Sequence, residues 1–236
     1  MRRIHLTALS RGLLAAAIGL ATLVAAVPAA SASSTNQWKL GSYTANGGFA
    51  FKSAPLGTFA FPTVPSQCTP APACEGNTGQ GAALLLNNTG TLTGNLTGKT
   101  ITVTFSITGV TPTSTFNYGG EPDGSGIAAN VRLYWDDASI TKAKNLVATD
   151  YWWSNPVNFT LIGGIGPLTT TIDPANWSDY FGVFGNVDQS TTSAFNAAAT
   201  NVKDIGLSFG GGYFFANGVG TTDGSGTFTV TSVTVN

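Results

Sequence analysis

Residues 99–107 read KTITVTFSI, and their spacing decides the fold. Ile101, Val103, Phe105 and Ile107 alternate with Thr100, Thr102, Thr104 and Ser106. A period of two marks a β-strand with one face in a core and the other in water. The same pattern recurs outward along the chain. In NVRLYW (130–135) Val131, Leu133 and Trp135 share one face; Arg132 and Tyr134, with Asp136 just beyond, share the other. VNFTLIG (157–163) repeats it with Val157, Phe159 and Leu161, and GAALLLNN (81–88) reads as a short apolar strand. Around Asn46-Gly47, QWKLGSYT and GGFAFK predict a first pair of strands. In GTFTVTSVTV (226–235) Phe228 and Val230 have one parity and Val233 and Val235 the other, which predicts a β-bulge at Ser232-Val233.

Two short helices interrupt this pattern. Asp173 can cap a helix that opens with Pro174 in DPANWSDYFG. TTSAFNAAATNV (191–202) carries Phe195, Ala199 and Val202 at helical spacing. Close-set strands with glycine-rich turns predict an all-β, jelly-roll-like β-sandwich with one or two short helices.

The first 32 residues predict a signal peptide. Arg2, Arg3 and Arg11 precede or flank an apolar stretch from Leu13 to Val27, and Ala30-Ser31-Ala32 fits a cleavage site. The mature chain is then a single domain, 33–236, secreted and extracellular. No other segment is long and apolar enough to span a bilayer. Removing the three signal arginines leaves seven basic against eleven acidic residues, a net charge of −4. That balance argues against a nucleic-acid partner. Cys68 and Cys74, in CTPAPAC, predict a local disulfide in an exported chain.

The lone histidine, His5, leaves with the signal. Serine and cysteine hydrolase mechanisms that need a histidine base are thereby excluded for the mature chain. The glycines of LIGGIGPL (161–168) lack the third glycine of a dinucleotide loop and read as a turn; Gly210-Gly211-Gly212 lacks the lysine of a phosphate loop. No cofactor is expected. Glu121 and Asp123 stand in a loop that offers carboxylates to calcium, but without the EF-hand spacing, and no metal site is assigned. The mature chain has two glutamates, Glu75 and Glu121, and no carboxylate pair declares itself for glycoside hydrolysis.

TDYWWSNP (149–156) carries the candidate site. Neighbouring strand residues face opposite ways, so Trp152 and Trp153 must split between two faces. On a strand running from Leu146 to Trp153, Asp150 shares the parity of Trp152, which points Trp152 outward and Trp153 into the core. Beside Arg132 and Tyr134 of the NVRLYW strand, Asp150 and Trp152 would make an aromatic, hydrogen-bonding patch suited to sugars. The competing arrangement buries both tryptophans, one in the core and one beneath a loop or helix.

DPANWSDYFG followed by NVKDIGLSFGGGYFFANGVG (201–220) resembles a group of secreted bacterial proteins with a laminin-B-like or galactose-binding-like β-sandwich. The likeness includes LTGKTITVTFSI and spans roughly the last 140 residues. It implies a sandwich with a tryptophan-bearing short helix before a late glycine-rich strand, and no catalytic residues. The expectation is a secreted, non-catalytic protein that binds carbohydrate or the extracellular matrix, with an extracellular glycan or polysaccharide as partner. The alternatives are a structural extracellular protein without a small ligand and a hydrolase without a recognisable motif.

Overall fold

Every alternating segment named above becomes a strand or part of one. In chain order they are β1 (Lys39–Tyr43), β2 (Phe49–Ser53), β3 (Thr58–Ala60), β4 (Ala82–Asn87), β5 (Thr100–Thr108), β6 (Phe116–Tyr118) and β7 (Asn130–Asp136). There follow β8 (Tyr151–Ser154), β9 (Phe159–Thr160), β10 (Gly164–Thr171), β11 (Trp177–Ser178), the helix α1 (Gln189–Ala199), β12 (Asp204–Gly210), β13 (Val219–Thr221) and β14 (Thr227–Val235). The computed structural model describes residues 37–43, 48–64, 81–119, 127–142, 146–212 and 214–236. The predicted signal, the Asn46-Gly47 turn, Cys68 and Cys74, and the Glu121/Asp123 loop all lie outside the described residues.

The strands form two antiparallel sheets. The larger has ten strands in the order β11-β8-β7-β12-β4-β1-β2, with β13, β6 and β9 attached beside this path; the smaller runs β10-β5-β14-β3. Ile101, Val103, Phe105 and Ile107 of β5 face Val131, Leu133 and Trp135 of β7 and Ile205, Leu207 and Phe209 of β12 in one inter-sheet core. The threonines of β5 turn the other way, where Thr100 and Thr102 pair with Thr171 and Thr169 of β10 through hydroxyl contacts of 3.2 and 3.1 Å. This is the all-β sandwich that the alternation predicts.

Three local differences from the sequence reading have physical causes. LIGGIGPL reads as a turn in the sequence, yet Gly164–Thr171 is β10, paired with β5 along its whole length. Pro167 is tolerated because β10 is an edge strand with a free side. Gly166 is required, since a Cβ there would lie 2.7 Å from the Phe105 ring and 2.9 Å from that of Phe159. The Asp173-Pro174 segment makes one 3₁₀ turn over Pro174–Asn176, with Asp173 accepting from the Ala175 amide as cap. One α-helix therefore remains, α1, which buries Phe195, Ala198 and Ala199. The shift in β14 falls between Val230 and Ser232, just before the predicted position, and makes Thr231 the extra residue.

Candidate functional site

The face of the large sheet turned away from the core is also covered, and its residues can be read off the strand register. One cross-strand row runs Trp153 (β8), Tyr134 (β7), Gly206 (β12), Leu86 (β4), Lys39 (β1), Ser53 (β2). The next runs Arg132, Ser208, Leu84, Gly41, Phe51. Asp136 and Asp204 stand opposite each other, with Tyr151 beside Asp136. A second apolar cluster forms here from Leu84, Leu86, Tyr134, Tyr151, Trp153 and Ala216, with Phe51, Tyr180, Phe214 and Phe215 packed against it.

This corrects the expected orientation of the tryptophan pair. Trp152 is 0% exposed and lies in the inter-sheet core, stacked on Trp135 at 5.9 Å and edge-on to Phe195 at 4.8 Å. Trp153 is the outer-face residue, and it too is buried, at 3% exposed. The alternation holds, but the parity argument used a residue that is not on the strand. Residues Ala148–Asp150 form a 3₁₀ turn and β8 begins only at Tyr151. Asp150 therefore says nothing about where Trp152 points. It lies beside Asp137, whose amide donates to the Asp150 carbonyl at 3.1 Å. Of the four residues expected to form a patch, Arg132 and Tyr134 share the outer face. Trp152 and Asp150 do not join them, and Trp153 takes the aromatic place.

Several polar groups are buried under this cover. The Trp153 indole Nε1 donates to Ser208 Oγ at 2.9 Å, and Ser208 Oγ donates to the Phe215 carbonyl. The Tyr134 hydroxyl donates to Asp136 Oδ2 at 2.7 Å, while Asp136 Oδ1 accepts from the Ser139 amide at 2.8 Å. Burial first, and then the neighbouring Asp204, push the Asp136 carboxyl up to about 7. Burial raises Asp204 as well, and its Oδ2 has no hydrogen-bond partner. This carboxyl pair was invisible in the sequence because Asp136 and Asp204 are far apart there; only the β7–β12 register brings them together. Both are sealed from solvent, at 0% and 2% exposed.

The cover leaves aromatic edges open. Tyr43, Phe49 and Phe51 form a chain of edge-to-face contacts at 5.0 and 5.2 Å on the β1–β2 side. Gly41 allows this, since a Cβ there would meet the Phe49 and Phe51 rings at 2.6–2.9 Å. On the opposite side Tyr180 touches Trp153, Phe181 and Phe214 at centroid distances of 6.1, 5.4 and 5.6 Å, and Phe181 is 75% exposed. Burial first, and then the charge of Tyr180, lift the Tyr43 phenol to about 12.

A cleft of about 520 Å³ opens at the β1–β2 end of the outer face, lined by Gln37, Trp38, Lys39, Phe51, Ser53, Asn88 and Thr141 among others. It offers the rings of Phe51 and Trp38 with amide, hydroxyl and ammonium groups around them. A second cleft, of about 630 Å³ between residues 107–116, 128–129 and 160–164, has Phe116 as its aromatic ring and hydroxyls as its polar side chains. Among the described residues no group of three or more His, Cys, Asp or Glu side chains is placed to hold a metal. No helix among them is long and apolar enough to cross a membrane.

No protein-family model matches the chain, nor does any curated protein or any solved structure.

Proposed function

We propose that the chain is a secreted, non-catalytic protein that binds an extracellular glycan on the outer face of its large sheet. The observation that supports this most is the cleft at the β1–β2 end. It places Phe51 beside Gln37, Asn88, Ser53, Thr141 and Lys39, next to the exposed ring of Phe49 and the half-buried ring of Tyr43. A sugar needs this mixture: its C–H face stacks on a ring while its hydroxyls take amide, hydroxyl and ammonium partners. In this reading residues 1–32 are removed on export and Cys68 pairs with Cys74. Both suit an extracellular protein that carries few charged residues.

A glycan-array screen of chain 33–236, followed by titration of the best ligand, tests the reading. Binding should perturb tryptophan fluorescence, because Trp38 borders the cleft. Phe51→Ala should weaken affinity at least about tenfold, the loss expected when a central aromatic contact is removed. An array with no bound glycan, or full affinity in Phe51→Ala, would refute it.

A further inference from the structure

Arg132 is only 3% exposed, and among the described residues no carboxylate pairs with it. Its Nη1 donates to the Ser154 carbonyl at 2.8 Å, and the Phe215 ring covers its guanidinium carbon at 4.0 Å. Nε is buried with no partner. Burial without a compensating charge lowers its pKa to about 10, so the group stays cationic at neutral pH. A buried charge normally comes with a partner, because desolvation otherwise outweighs the contacts it makes. The Nε edge of the guanidinium, away from the Nη1 bond, has the fork geometry that takes a carboxylate through two parallel hydrogen bonds.

Asn130 supplies a second, independent observation. It sits two residues before Arg132 on the same face of β7, about 7 Å along the strand. Its Nδ2 donates to the Ala128 carbonyl at 2.8 Å, which fixes the amide, and its Oδ1 is buried with no partner. The strand thus presents an unused cationic donor edge and an unused acceptor at neighbouring positions of one face. Segment 214–216 lies over it, held by Ser208 and by the reciprocal bonds between Asn217 and the Gly211 backbone.

From this pairing we infer that Arg132 and Asn130 recognise a hydroxylated carboxylate, a uronic-acid unit of an acidic glycan. Arg132 takes the carboxylate, Asn130 Oδ1 accepts from a ring hydroxyl, and Phe215 swings aside on entry. The inference rests on the glycan-binding reading and narrows its ligand class.

Calorimetric titration of the mature chain with oligogalacturonate and with neutral oligogalactose of equal length tests it. The acidic oligomer should bind at least about tenfold tighter, in line with one charge-assisted hydrogen-bonded contact, and methyl esterification of its carboxyls should remove the advantage. Arg132→Met should fold with an unchanged or higher Tm, since it removes a buried unpaired charge, and should abolish the preference. Equal affinity for both oligomers, or an acidic preference that survives Arg132→Met, would overturn the inference while leaving glycan binding intact. Failure of both oligomers to bind, when the array yields another neutral glycan, would also overturn it alone. Failure of every glycan would remove both readings. Should Arg132→Met not fold, the methyl-esterified oligogalacturonate decides on the native chain: affinity equal to that of the free acid would overturn the inference.

Discussion

Trp152 and Trp153 are adjacent residues that belong to different cores. Trp152 closes the inter-sheet core against Trp135 and Phe195, and Trp153 closes the outer cluster against Tyr134 and Tyr180. Because both rings are buried, Trp152→Ala and Trp153→Ala should each lower unfolding free energy by about 3–5 kcal/mol in urea titrations. A small loss for either would place that ring at the surface. The carboxyls around the end of β7 make a second residue-scale prediction. Asp136 is raised to about 7, and Asp137 is raised to about 6 by burial and by Asp150. A carboxyl whose folded pKa lies above its unfolded value binds its proton more tightly in the folded state. Its contribution is full below the ordinary carboxylate range and is lost as pH rises through the folded value. The midpoint of denaturation should therefore fall between about pH 4 and pH 8, and Asp136→Asn should flatten that slope. A native midpoint that rises over this range would contradict the burial of the pair. The split of the two tryptophans was legible from alternation alone. Which of them faced the core was not, because it depends on where β8 begins.

At the scale of elements, β14 tests how register is set. Removing Thr231 leaves Val230 opposite Phe105 and Ser232 opposite Thr104 in an unbroken ladder, so all the observed pairs survive. The deletion should fold, at a cost of about 1 kcal/mol for the altered twist. Deleting Thr104 from the middle of β5 instead shifts one half of that strand by a residue and turns its core set to solvent. That variant should fail to fold, as circular dichroism and thermal melting would show; a stable Thr104 deletion would mean that the register of β5 is loosely held. β5 and β14 were legible because each has one more buried and one wetter face, which writes a period of two into the sequence; β7 is buried on both faces, and its period of two comes from the polar Asn130, Arg132 and Asp136 on the outer one. β10 was hidden by its glycines and Pro167, whose roles there depend on the Phe105 and Phe159 rings and on a free edge. The stretch from Leu146 to Asp150 erred the other way: it carries strand-like residues but turns at Ala148–Asp150.

For the whole molecule, the two faces of the sandwich divide its labour. The small sheet's outer face is a threonine surface whose hydroxyls pair with each other across β5 and β10. The large sheet's outer face is covered by aromatic rings, with the buried Arg132, Asp136 and Asp204 among them. Sequence could place Arg132 and Tyr134 on one face, but not the rings over them. Phe215 reaches Arg132 only because the chain turns back after Gly210, where a Cβ would lie 2.5–2.6 Å from the 214–215 backbone. The most direct test of the account is amide chemical-shift mapping with a glycan selected on the array. The account predicts perturbations at Lys39, Gly41, Phe51, Asn88 and Thr141, extending to Tyr180 and residues 214–216. Perturbations confined to the threonine face of β5 and β10, or to the cleft between residues 107–116 and 160–164, would contradict it.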